Sequence, residues 1–232
     1  MFSRNLKTKE LIFRKSPGGA IYEDFKPNLT PKEIFEMGSF GGTYWRPIYS
    51  SINDRSYENQ HTKYNFLKNI DKNLLTRQIY DKKINKYNVE VGSTLEFWES
   101  KGWISKLHPY GWVQWYSDFY SGKRSSDDER QINRWINTAG PKSRWRRRLI
   151  NLIREKNSKY NDFSISPIIR QILQHWGYIL TKQDFTEAYY KIDQVKSNKK
   201  NSDSLENKTV KELKIILKSK NLKVSGKKSE LI

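Results

Sequence analysis

Three kinds of group in this chain could do chemistry: a row of carboxylates, a few imidazoles, and two clusters of basic side chains. Asp127, Asp128 and Glu129 are consecutive, and clustered carboxylates can hold Mg²⁺ for phosphodiester cleavage. Consecutive helical residues do not face one another, however, and Ser126 with Glu129 has the spacing of a capping box, so a capping role is expected for all three acids. His108, before Pro109, could act as a general base, but no partner stands at a recognisable spacing, and a capping or surface position is expected. The chain has no Cys. Disulfides, thiolate zinc sites and cysteine nucleophiles are thereby excluded, leaving only His61, His108 and His175 as imidazoles. Ser16–Gly19 and Phe40–Thr43 are Gly-bearing but lack the Lys and the strand context of a phosphate loop. No catalytic residue, cofactor site or metal site is therefore assigned, and the reading leans away from an enzyme.

The basic clusters carry more information. In the segment from Lys142 to Arg154, Trp145, Leu149, Leu152 and Ile153 recur at i, i+4, i+7 and i+8, which predicts a helix with these four facing inward. Arg144, Arg147, Arg148 and Arg154 then lie on the outer faces with Arg146 at an edge, and five planar guanidinium forks on one helix suit phosphate. The competing reading is a solvated face paired with Asp127, Asp128 and Glu129. The second cluster is Lys223, Ser225, Gly226, Lys227 and Lys228, where Gly permits close backbone approach and a following helix N-terminus favours phosphate.

The whole-chain balance points the same way. The 232 residues carry 44 Lys+Arg against 25 Asp+Glu, a formal charge of +19, which favours a polyanionic partner such as nucleic acid or an acidic membrane surface. Residues 1–92 hold 16 basic and 10 acidic side chains, 93–193 hold 17 and 11, and 194–232 hold 11 and 4. The last segment thus matches either longer one in net charge, and it contains no aromatic residue. This shift predicts a body over 1–193, a flexible linker over 194–203, where Lys196 to Asp203 offer no apolar anchor, and a small module over 204–232. Hydrophobic content is only 35%, but eight Trp among 14% aromatic residues can supply a core. No apolar run approaches the roughly 20 residues needed to cross a bilayer, so no membrane partner is expected and the protein is read as soluble and intracellular.

Elements that could position these groups follow from punctuation. The body is predicted mainly α. Thr30-Pro31 with Glu33 opens a short helix ending near Gly38; Ser93 to Glu96 opens another ending at Gly102; Pro109 precedes a third, over 110–120. Further helices are predicted from 126 to about 138, from 142 to about 157, from 167 to 176 and from 182 to about 193. Gly38 to Pro47 reads as an ordered irregular loop, and 70–84 as one more helix. Trp98, Trp112, Trp115 and Trp135 sit at helical spacing and are expected in the core. Trp45 and Trp103 are the better candidates for exposure, where they could stack on bases.

Ser204 to Ile232 resembles the SAP domain, a helix, extended loop, helix module of chromatin, DNA-repair and RNA-processing proteins. The first helix, 209–220, would bury Val210, Leu213, Ile216 and Leu217, with Leu222, Val224 and Leu231 completing the core. The resemblance implies binding to the DNA backbone, duplex favoured, often with preference for A/T-rich tracts. Asn221 stands where the family usually has Gly, a tolerable change because Asn accepts the left-handed conformation. Helix two is barely a turn and a half here, so either the chain is trimmed or the module orders only on DNA. The strings from Gly41 to Ser50, Leu95 to Ile104, Tyr110 to Tyr116 and Asp127 to Trp135 resemble an uncharacterised Trp-rich family of fungi, algae and large DNA viruses, over about 38–155, and add no mechanism. The expectation is a non-enzymatic DNA-binding or packaging protein of the nucleus, a viral factory or a virion. The alternatives are a metal-dependent nuclease-like enzyme recruited by its tail, and a body that binds a protein partner with the tail as tether.

Overall fold

A computed structural model describes residues 2–188, 190, 205 and 208–231. The chain divides into two units, 1–182 and 183–232. The expected linker, 194–203, lies outside the described residues.

In the first unit a hairpin of β1 (Phe2–Arg4) and β2 (Leu11–Phe13) leads to α1 (Pro31–Glu36). The expected start is found, and it is a capping box: Thr30 Oγ1 accepts from the Glu33 amide, and Glu33 accepts from the Thr30 amide. A second hairpin, β3 (Ile48–Ser50) with β4 (Arg55–Tyr57), precedes short turns. Helices α2 (Leu95–Ser100), α3 (Trp112–Tyr120), α4 (Asp128–Ala139), α5 (Arg144–Glu155) and α6 (Pro167–His175) follow, and 182–188 are helical. Most predicted helices are thus found, with ends shifted by a few residues; α2 starts after Thr94 rather than Ser93, and α4 after Asp127 rather than Ser126, whose side chain caps nothing.

Helix α3 is the hub because nearly every face of it is apolar. Trp112, Val113, Trp115, Tyr116 and Phe119 are all buried. Phe13 from β2 packs on Phe119 at 5.2 Å between centroids, and Phe25 meets Trp135 of α4 edge-on at 5.3 Å, geometries that aromatic quadrupoles favour. Three of these rings have their polar ends satisfied: Tyr116 Oη donates to Leu29 O, Trp115 Nε1 to Asp128, and Trp135 Nε1 to Trp176 O. The two ends of the unit are clasped. Asn28 exchanges two side-chain hydrogen bonds with Ile179, and the amides of Asn28 and Leu29 both donate to Gly177 O.

Two expectations for the region before α2 fail for one reason. Residues 70–84 form only short 3₁₀ turns at Lys72–Leu74 and Lys82–Ile84, because their amides are used elsewhere: Arg77 and Asp81 donate to Gly42 O and Gly41 O. The Gly-rich loop lies so close to this segment that a Cβ on Gly42, at φ +79°, would stand 2.2 Å from Asn73 O. The loop is ordered, as expected, but it carries Trp45 into the core. Trp45 is fully buried against Phe35, Tyr44, Tyr64 and Tyr110, so the expected exposed stacking residue is a core anchor.

In the second unit α7 (Val210–Ser219) lies within the expected 209–220 and opens on a capping box, with Thr209 Oγ1 accepting from the Glu212 amide and Glu212 accepting from the Thr209 amide. Asn221 takes the left-handed conformation at φ 57°. The core is smaller than expected. Leu213 and Leu231 are buried and Ile216 and Leu217 half-buried, whereas Val210, Leu222 and Val224 are exposed. The second helix is a single 3₁₀ turn, Lys228–Glu230.

Candidate nucleic-acid interface

The loop before that last turn brings the predicted tail residues together. Lys223, Ser225, Gly226, Lys227 and Lys228 are all exposed, so three ammonium groups stand in solvent around one bend. Gly226 has φ +144°, and a Cβ there would lie 2.5 Å from the Glu230 carboxylate, so the bend requires glycine. The same carboxylate accepts from the Lys227 amide. That amide is therefore not free for phosphate, and the turn after it is too short to act as a helix N-terminus; the charge of the loop resides in its lysine side chains.

Helix α5 is found, but rotated from its expected setting. Its buried stripe is Arg146, Leu149, Ile150 and Ile153, spaced i, i+3, i+4 and i+7, while Trp145 and Leu152 are only half-buried. Arg146 is 7% exposed, its guanidinium 4.4 Å from the ring of Tyr178. An aliphatic stem capped by a ring contact lets Arg occupy a core-facing position, and this removes Arg146 from the phosphate-facing set. Arg144, Arg147 and Arg148 are exposed and Arg154 half-buried. Arg148 stands 3.8 Å from Glu155, both side chains more than half exposed, a pair of little energetic weight.

The acids do not neutralise this helix. Asp127 accepts from Arg130 Nε at 2.5 Å and from Gln131 at 2.8 Å. Burial pushes its carboxyl up, and the bonds from Arg130 and Gln131 outweigh that and hold it below the usual range. Asp128 accepts from Trp115 Nε1 and Ser125 Oγ. Both are structural anchors of α4 rather than the capping groups expected, and Glu129 is exposed. None of the three pairs with α5 among the described residues.

His108, expected on the surface or at a cap, is 4% exposed. The turn closed by Gly111 N donating to His108 O tucks the imidazole inward, with Nδ1 3.4 Å from Asp127 and Nε2 3.8 Å from Asp118. Burial lowers its pKa against the pull of both carboxylates. Asp118 is also held by Lys123 at 2.7 Å and by Tyr64 Oη. The row Asp118, His108, Asp127 is held at its two ends by Lys123 and Arg130. No group of three His, Asp or Glu is gathered to hold a metal ion among the described residues.

The site that sequence reasoning missed is a cleft of about 470 Å³ lined by Trp98, Trp103, Trp112, Trp145 and Trp176 with Arg134 and Arg144. Trp103 is 44% exposed, as expected for it, and Trp98, Trp145 and Trp176 are half-buried. Arg144 lies 4.6 Å over the Trp145 ring and Arg134 5.3 Å over Trp176. Arg134 donates twice through Nη1, to Trp103 O and Gln131. Burial and the neighbouring Arg130 pull its pKa down to about 10. Five rings from α2, the loop after it, α3, α5 and the end of α6 converge only in three dimensions; the Arg-Trp pair at 144–145 was the one local signal.

No helix among the described residues is long and apolar enough to cross a membrane. No curated protein and no solved structure matches the chain, and the likeness of the body to a Trp-rich family finds no relative there. Residues 204–232 match the SAP domain family, which supports DNA binding in general for this chain.

Proposed function

We propose that this chain is a non-enzymatic protein that binds duplex DNA through its phosphate backbone, in packaging or in chromatin or virion organisation. The observation that carries the reading is the SAP match over 204–232 coinciding with three solvent-exposed lysines on the Gly226 bend. Such contacts position a protein on DNA and read no sequence, so any preference for A/T-rich tracts would come from groove shape and deformability. Helix α5 supplies the second contact surface through Arg144, Arg147 and Arg148, with Arg154 at its margin. Two weak sites on one chain raise each other's effective concentration and give useful joint affinity.

The test is a salt titration of duplex binding with the full chain, Mg²⁺ present and the DNA recovered on a gel. For every phosphate that a variant ceases to neutralise, the slope of log K against log salt becomes shallower by about 0.9. Lys227→Glu with Lys228→Glu should lower it by about 2, and Arg147→Glu with Arg148→Glu by a similar amount. An unchanged slope in the lysine pair overturns the tail as the anchor. Cut DNA overturns the non-enzymatic reading and favours a nuclease recruited by its tail.

A further inference from the structure

We propose that the tryptophan cleft of the body takes an unstacked nucleobase of single-stranded nucleic acid, its phosphate directed to Arg134 and Arg144. The inference rests on the nucleic-acid reading above and adds a second ligand form with its own site.

Four observations converge. First, the cleft offers partly exposed indole faces, Trp103 above all at 44%, and bases stack on such faces whatever their identity. A base inside a duplex presents only its edges, so only an unpaired one can enter. Second, Trp112 lines the cleft and is 6% exposed, so its ring gives the guest an apolar wall. Third, both hydrogen bonds of Arg134 leave through Nη1, so Nη2 and Nε have no partner among the described residues. A partly desolvated guanidinium with a free edge suits a phosphate oxygen. Fourth, no carboxylate lines this cleft. That argues against a cationic guest such as a methylated ammonium, which aromatic cages otherwise favour. The volume, about 470 Å³, falls within the roughly 300–1,000 Å³ of small-molecule sites. Helix α5 continues from Arg144 in the cleft to exposed Arg147 and Arg148, giving the strand's next phosphates a path.

The experiment compares three labelled probes on the full chain by fluorescence anisotropy: ten-residue oligothymidylate, a blunt duplex and a proline-rich peptide. The variants are Trp103→Ala and Arg144→Gln, both at exposed side chains. Each should weaken oligothymidylate binding, Trp103→Ala by roughly 5- to 150-fold, the range for loss of one stacked base, and Trp103→Ala should leave duplex affinity unchanged. Lys227→Glu with Lys228→Glu should do the reverse, so failure of the tail reading is separable from failure of this one. Unchanged oligothymidylate affinity in both cleft variants overturns the proposal. So does an equal fall in duplex affinity on Trp103→Ala, or displacement of oligothymidylate by the proline-rich peptide, which would make the cleft a peptide groove.

Discussion

Acidification should loosen the body through one side chain, His175. It lies at the end of α6, stacked on Phe40 at 4.0 Å, and its Nε2 accepts from the Phe40 amide at 3.3 Å. That bond requires a neutral imidazole, and burial pushes the His175 pKa down to about 3, against 6.5 for a free one. The unfolded chain therefore binds a proton that the folded chain refuses throughout this interval, and stability rises with pH across it. The contribution is complete above pH 6.5 and is lost at about 1.4 kcal/mol per pH unit below it. Between pH 7 and pH 5 the loss comes to about 2 kcal/mol. The assay is urea unfolding at pH 7, 6 and 5, followed by tryptophan fluorescence, which reports the body because every Trp lies between positions 45 and 176. His175→Gln, a neutral side chain that can still accept from Phe40, should remove most of that slope. The residue left would belong to His61 and His108, both lowered by burial. The same pH dependence in wild type and variant would refute the assignment.

Gly42→Ala should destabilise the body by about 2 kcal/mol or more, since a Cβ there meets Asn73 O at 2.2 Å and φ is +79°; a shift in the urea midpoint measures it. Trp115→Phe removes the indole bond to Asp128 and should cost about 1.5–3 kcal/mol by the same assay. Thr209→Ala opens the capping box of α7 and should cost about 1 kcal/mol. In a unit whose buried core among the described residues is Leu213 and Leu231, that destabilisation should show as reduced helical circular dichroism and weaker DNA binding. Arg146→Glu should lower the melting temperature of the body, whereas Arg147→Glu should leave it unchanged, because only Arg146 is buried.

What could be read from sequence was local. The helix start at Thr30-Pro31, the helix over 209–220, the left-handed Asn221 and the burial of Trp112, Trp115 and Trp135 depend on neighbours within a few residues, and each is found. The burial of Trp45 depends on residues 72–84 meeting the Gly-rich loop, a pairing no periodicity encodes. Helix α5 shows a subtler limit. Two stripes, 145/149/152/153 and 146/149/150/153, share Leu149 and Ile153, and hydrophobicity alone prefers the one with Trp. The structure turns Trp145 to the cleft and covers the Arg146 stem instead. For the site, the exposed lysines and most of the arginines were legible, and the cleft was not, because its rings are scattered from 98 to 176.

The clasp between Asn28–Leu29 and Gly177–Ile179 also dictates an order of events during synthesis. Its first half leaves the ribosome long before its second, and until Gly177 emerges the carbonyl that both early amides require does not exist. The hairpin and α1 must wait with Phe2, Phe13 and Phe35 uncovered, a state in which exposed apolar surface invites association and chaperones find their clients. Residues 183–232 are made after the clasp. While that lysine-bearing stretch is still being translated, the body can already close.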